Sequence, residues 1–135
     1  MSQENVEIVH QLFDAFARSD IDAFLELCDP DIVLTQTADT ETLGIPRQSR
    51  GHEGVRGALA AWPEQWDDFH VALSRIVADP GDQVVVATRQ TGRGRQSGIE
   101  VEGDYVYVFT VRDKITEWRV FDRESEALEA TGLSD

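Results

Sequence analysis

Apolar side chains recur at Val6, Val9, Phe13 and Phe16, with Ile8 and Leu12 beside them. This spacing of three and four predicts an amphipathic helix over residues 3–18. Ser2 is placed to cap it, and Glu4 lies in the first turn, where negative charge suits the helix dipole. Ile21, Phe24, Leu25 and Cys28 repeat the spacing behind Ser19 and Asp20, either of which can cap, and Asp29-Pro30 stops this second helix. Together the two predict a helical hairpin. Asp31 to Thr35 reads as a short strand, and polar Gln36 to Gln48, with Gly44 and Pro46, as a mobile loop. A third helix is predicted from Glu53 to about Trp66, with Val55, Ala58, Leu59 and Trp62 on one face and Pro63 bending or restarting it.

In the second half the period falls from about 3.6 to 2. Phe69, Val71, Leu73 and Val77 alternate with polar neighbours, Asp79-Pro80-Gly81-Asp82 is a turn, and Gln83 to Thr91 is a second strand. A glycine-rich hairpin loop, Gly92 to Gly98, leads into a long strand from Ile99 to Val111, with a bulge predicted at Gly103-Asp104. After the tight turn Arg112-Asp113-Lys114, a last strand runs from Ile115 to Phe121; Glu124 to Ala130 suits a closing helix, with Gly132 at its C-cap. Helices followed by a meander of long strands predict an α+β domain whose curved sheet wraps around helices and leaves a cavity between the layers.

Composition narrows the partners. The 135 residues, 41% hydrophobic and 28% charged, fit one domain over residues 1–135. The 26 acids against 12 bases give a net charge of -14, which repels nucleic acid and anionic membranes, so neither is expected as a partner. A single cysteine, Cys28, cannot form an internal disulfide, and His10, His52 and His70 lack zinc-site spacing, so no metal or cofactor is expected. The acidic, polar start lacks the features of a signal peptide, and no stretch approaches the roughly 20 apolar residues of a membrane span. The expected location is the cytoplasm.

No self-sufficient catalytic motif is present, so any chemistry must come from side chains converging on the cavity, and strand parity is the guide. Arg89 shares a face with Val85 and Ala87: it is either a strand-end arginine paired with a neighbouring acid, or a cavity arginine holding a ligand carboxylate or enolate. Tyr105, Tyr107 and Phe109 share one face of the longest strand, where a tyrosine is either an oxyanion donor or a satisfied core residue. Both faces of that strand being apolar points to a cavity on one side and a second subunit on the other. Asp122 shares parity with Trp118 and Val120, where desolvation would raise its pKa into the range of a general acid or base; just before the closing helix, it is equally placed as an N-cap. Trp62 and Trp66 either wall an aromatic ligand or fill the core, and His52 reads as a cap-region residue.

Val9 to Phe16, Asp20 to Phe24, Asp29-Pro30-Asp31-Ile32-Val33, Gly51-His52-Glu53-Gly54-Val55, and Asp113-Lys114-Ile115 with Trp118 and Asp122 resemble the SnoaL-like branch of the NTF2-like superfamily over nearly the whole chain. The resemblance implies a cone-shaped α+β barrel of the cystatin/NTF2-like type, its N-terminal helices packed in a curved, mostly antiparallel sheet, with a pocket at the wide end and a homodimer formed through the outer sheet face. It does not carry over the ketosteroid isomerase pattern. Counted from Asp20, the positions of that catalytic base, its helix tyrosine and its neutral acid fall at Gln36, Leu12 and near Tyr107, so two of three roles lose their chemistry. Asp39 could serve as the base only with a gap.

The SnoaL-type polyketide cyclases fit better, because a tryptophan followed four residues on by an aspartate matches Trp118 and Asp122. The resemblance then implies a cofactor-free enzyme moving a proton next to a carbonyl of a hydrophobic or aromatic substrate. Asp122 is its acid/base, with Tyr107 and Arg89 on the enolate and Phe13, Phe16, Gln36, Leu59, Trp62, Trp66, Phe109 and Trp118 around the ligand. The alternatives are a noncatalytic binder of a hydrophobic metabolite and a dimeric interaction module whose cavity is filled by its own side chains. Cavity volume and the direction of the Asp122 carboxylate discriminate among the three.

Overall fold

The predicted apolar stripe of the first segment is α1 (Ser2–Ala17), which buries Val9, Leu12 and Ala15. The computed structural model describes residues 2–36 and 47–132, the side chains of residues 2 and 62–65 excepted; most of the predicted loop, with Asp39, and the side chain of Trp62 lie outside the described residues. Helix α2 (Ile21–Glu26) starts at Asp20, whose carboxylate accepts from the Ala23 amide at 3.1 Å. It ends where Lys114 Nζ donates to the Glu26 carbonyl at 2.8 Å, a cation placed on the negative end of a helix. β1 (Cys28–Gln36) begins before Pro30, earlier than the pattern predicts, because Cys28 already pairs with Ile115 of the last strand.

A three-residue strand, β2 (Gln48–Arg50), precedes α3 (Gly51–Gln65). Gly51 makes the turn between them at φ 71, a left-handed backbone that L side chains rarely adopt. His52 Nε2 lies 2.9 Å from the Cys28 carbonyl and ties the start of α3 to β1. The helix continues past Pro63, then gives way directly to β3 (Trp66–Ala78). β4 (Gln83–Gly94), β5 (Glu100–Arg112), β6 (Lys114–Phe121) and α4 (Glu124–Ala130) follow, with β4 extending to Gly94 into the predicted loop and without the bulge expected at Gly103-Asp104, where the β4–β5 register is unbroken.

The six strands form one sheet in the order β2-β1-β6-β5-β4-β3. All pairings are antiparallel except β1 with β6, which run parallel because the long excursion through α3 and the β3–β5 meander returns the chain beside β1. The fold is therefore α+β with a mixed sheet. The expectation of a barrel is corrected in one respect: the sheet is open, since β2 and β3 are its two edges.

Registered neighbours point to the same face of a sheet, so the pairing defines rows across it. One row runs Leu34, Trp118, Phe109, Val84, and the next Gln36, Val120, Tyr107, Val86; these residues are all buried, in the layer that receives α1, α2 and α3. The opposite face carries Val85, Val106 and Val108, which pack against Ala127 and Leu128 of α4. No helix among the described residues is long and apolar enough to cross a membrane.

Phe109, 1% exposed, touches both Phe13 of α1 and Trp118 of β6. Truncating it removes the middle of the joint between the layers. Phe109→Ala should lower the stability measured by urea denaturation by about 3–5 kcal/mol, the usual range for deleting a buried ring.

Candidate ligand-binding groove

Six aromatic rings from four elements meet on the concave face. Phe13 stacks on Tyr107 at 6.1 Å, Phe16 meets Phe24 edge-on at 6.1 Å, and Trp118 lies 5.7, 5.4 and 5.8 Å from Phe24, Tyr107 and Phe109. With Leu12 they enclose a chamber of only about 10 Å³, room for a single water at most. The Trp118 indole N–H is buried without a hydrogen-bond partner. An unpaired buried donor costs about 1–3 kcal/mol.

Tyr107 is not such an orphan. Gln90 Nε2 donates to its hydroxyl oxygen at 3.0 Å, and the Thr88 hydroxyl, which itself donates to the Tyr105 carbonyl at 3.0 Å, is its second partner. Burial pushes the phenol up from 10.0 to about 12, its hydrogen bonds with Gln90 and Thr88 opposing the shift. Tyr107 is thus a neutral, satisfied core residue, one of the two readings its pattern left open.

Outside the chamber, across Phe16, a groove of about 720 Å³ opens between the end of α1, the start of α2, α3 and the first half of β3. Phe16, Ile21, Leu59, Ala60, Trp66 and Phe69 supply its apolar walls, and Asp67, Asp68 and His70 lie along its β3 side. A volume of this size falls within the range of small-molecule sites. Its carboxylates are engaged, Asp67 with Arg95 at 3.5 Å and Asp68 with Arg93 at 3.9 Å. Asp68 holds a left-handed backbone, φ 54, where the β3–β4 register shifts between Asp67 and His70.

The structure thus brings together Phe13, Phe16, Phe109 and Trp118 at the chamber and Phe16, Leu59 and Trp66 at the groove. Gln36 is buried in the row of Tyr107. Two placements depart from expectation. Arg89, carried over as a cavity arginine, takes the other of its two readings, an arginine paired with neighbouring acids: it stands opposite Asp104 on the outer face, half exposed, where it hydrogen-bonds Glu102 and Asp104. The Glu102 hydrogen bond and the two acids push its pKa up further. Its inward neighbours are Thr88 and Gln90. Asp122 is exposed in the link after β6 and lines neither chamber nor groove; nor does it cap α4, whose N-cap position is Arg123 without a side-chain cap bond. Sequence reasoning missed Phe24, Phe69, Thr88 and Gln90 as site residues. The last two were available from parity, on the face opposite Arg89.

The model of the SnoaL-like domain family matches residues 9–118, and the chain belongs to that family. Solved structures agree on the fold. An NTF2-like protein of unknown function from Burkholderia pseudomallei is 18% identical over 93% of this chain and 95% of its own, with a TM-score of 0.80. TerC, crystallised with polyporic acid, is 24% identical over the same shares, with a TM-score of 0.79. An NTF2-like protein from Burkholderia thailandensis is 26% identical over 97% of this chain and 98% of its own, with a TM-score of 0.76. No curated protein matches the chain in sequence.

Burial raises the Cys28 thiol from 9.0 to about 12, the nearby Lys114 charge opposing it, just as it raises Tyr107. In both, the folded value lies above the unfolded one, so their contribution to stability is complete below pH 9 and is lost as pH climbs toward 12. The urea midpoint should therefore fall over that interval, and Cys28→Ala combined with Tyr107→Phe should flatten the fall. A thiol reagent at pH 8 should label Cys28 only after denaturation.

Proposed function

We propose that this protein binds a small apolar or aromatic molecule in the groove between α1, α3 and β3. The carrying observation is the groove itself: about 720 Å³ walled by Phe16, Ile21, Leu59, Trp66 and Phe69, backed by an aromatic chamber already filled by the protein's own rings. Apolar walls gain by excluding water from a ligand of matching chemistry, and the polar groups along β3 fix its orientation. The crystallisation of the structurally similar TerC with polyporic acid supports the same reading.

Binding is favoured over the proton transfer expected of Asp122 by the arrangement of the acids. An aspartate acting as acid or base must bring its carboxylate within reach of the ligand. Among the described residues, Asp122 is exposed outside the groove, Arg89 is paired on the far face, and the groove carboxylates Asp67 and Asp68 face arginine partners. A plain interaction module with a filled cavity accounts for the chamber but leaves the groove without a role.

Titration with bicyclic and tricyclic aromatics should quench tryptophan emission saturably, since Trp66 is a groove wall. Ala60 is exposed on the groove face of α3, so Ala60→Trp fills the groove at little cost to folding. It should weaken binding at least tenfold with an unchanged far-ultraviolet circular dichroism spectrum. Equal affinity in the variant, or no saturable quenching by any compound, would refute the assignment.

A further inference from the structure

A second, smaller pocket lies on the same face toward the end of the β4–β5 hairpin, and we infer that it is a subsite for a single hydroxylated aromatic ring. Gly92 and Gly103 form part of its lining, and Gly103 is registered with Gln90. A Cβ at Gly92 would stand 3.2 Å from Trp66 Cβ and 3.6 Å from the Phe69 ring, and one at Gly103 would stand 2.9 Å from the Tyr105 ring. The missing side chains let three aromatic rings lie close against the strand backbone. Between them remain about 140 Å³, close to the roughly 150 Å³ apolar cavity that suffices for one benzene molecule in another protein. Val101, 39% exposed and one of the few large apolar side chains left in solvent among the described residues, forms part of the pocket edge.

The polar lining selects the ring's substituent. Gln90 already commits an amide N–H to Tyr107, which leaves its side-chain carbonyl oxygen as an acceptor. That oxygen suits a neutral donor such as a phenolic hydroxyl. A ring bearing a carboxylate is opposed by the same oxygen and by the net charge of -14. Trp66 and Phe69 line both this pocket and the large groove, so a ring seated here can carry a larger body into the groove, yet the subsite stands whether or not the groove is a ligand site.

Phenol is the probe, followed by ¹H–¹⁵N nuclear magnetic resonance on the intact chain, with benzoate, cyclohexanol and toluene as comparisons. Phenol should cause saturable shifts at the Gly92 and Gly103 amides and the Trp66 indole, and should bind at least tenfold more tightly than benzoate or cyclohexanol. Gly92→Ala, whose Cβ displaces Trp66, should weaken phenol at least tenfold. Gln90→Leu, which keeps the apolar walls, should reduce phenol to the affinity of toluene, while Ala60→Trp should leave it unchanged. The inference is overturned if benzoate binds as well as phenol, if the shifts do not saturate, or if they centre on Phe16 and Leu59 and vanish in Ala60→Trp. Failure of larger aromatics to bind would refute the groove assignment alone.

Discussion

The aromatic joint around Trp118 holds the two layers together, and the remaining features depend on it. Trp118 is seated between Leu34 and Phe109 in the sheet, and Phe24 of α2 and Phe13 of α1 reach the same cluster. Large rings on an open sheet would otherwise be left in water, so the helical hairpin is fixed over the strands by apolar burial and by edge-to-face geometry. Because the joint fills its own centre, the space left for a ligand lies to one side. It opens where α1 ends, between α3 and the first half of β3.

This arrangement separates the two faces by chemistry. The concave face has apolar rows with a short polar chain, Gln90, Tyr107 and Thr88, whose hydrogen bonds are made within the protein. Beyond the valines covered by α4, the outer face ends in exposed ion pairs such as Arg89 with Glu102 and Asp104. Pairs at that exposure add little stability, about 0–1 kcal/mol each, and serve to keep the sheet's far end in water. The proposed ligand-binding groove accordingly lies on the concave side.

Much of this was legible in the sequence, and the failures have physical causes. The helices and long strands followed from periodicity, whereas Phe13, Phe109 and Trp118, expected around a ligand, pack on one another. Arg89 was misplaced because Val84, Val85 and Val86 are all buried, so β4 is apolar on both faces and its alternation does not say which one meets the helices. Only α4, closing over Val85, resolves it. Asp122 continues the parity of Trp118 and Val120, but β6 ends at Phe121 and the chain turns toward α4 before that parity can aim it inward. β2 is three polar residues long and carries no periodic signal, and β3 starts at Trp66, where helix and strand signals overlap.

The central claim is that the unfilled space beside the aromatic joint is where a ligand sits. Intermolecular nuclear Overhauser effects between 2-naphthol and the protein test it most directly. The account predicts contacts from the naphthol ring to Phe16, Leu59 and Phe69. Contacts confined to the outer face, around Arg89 and Asp104, would contradict it.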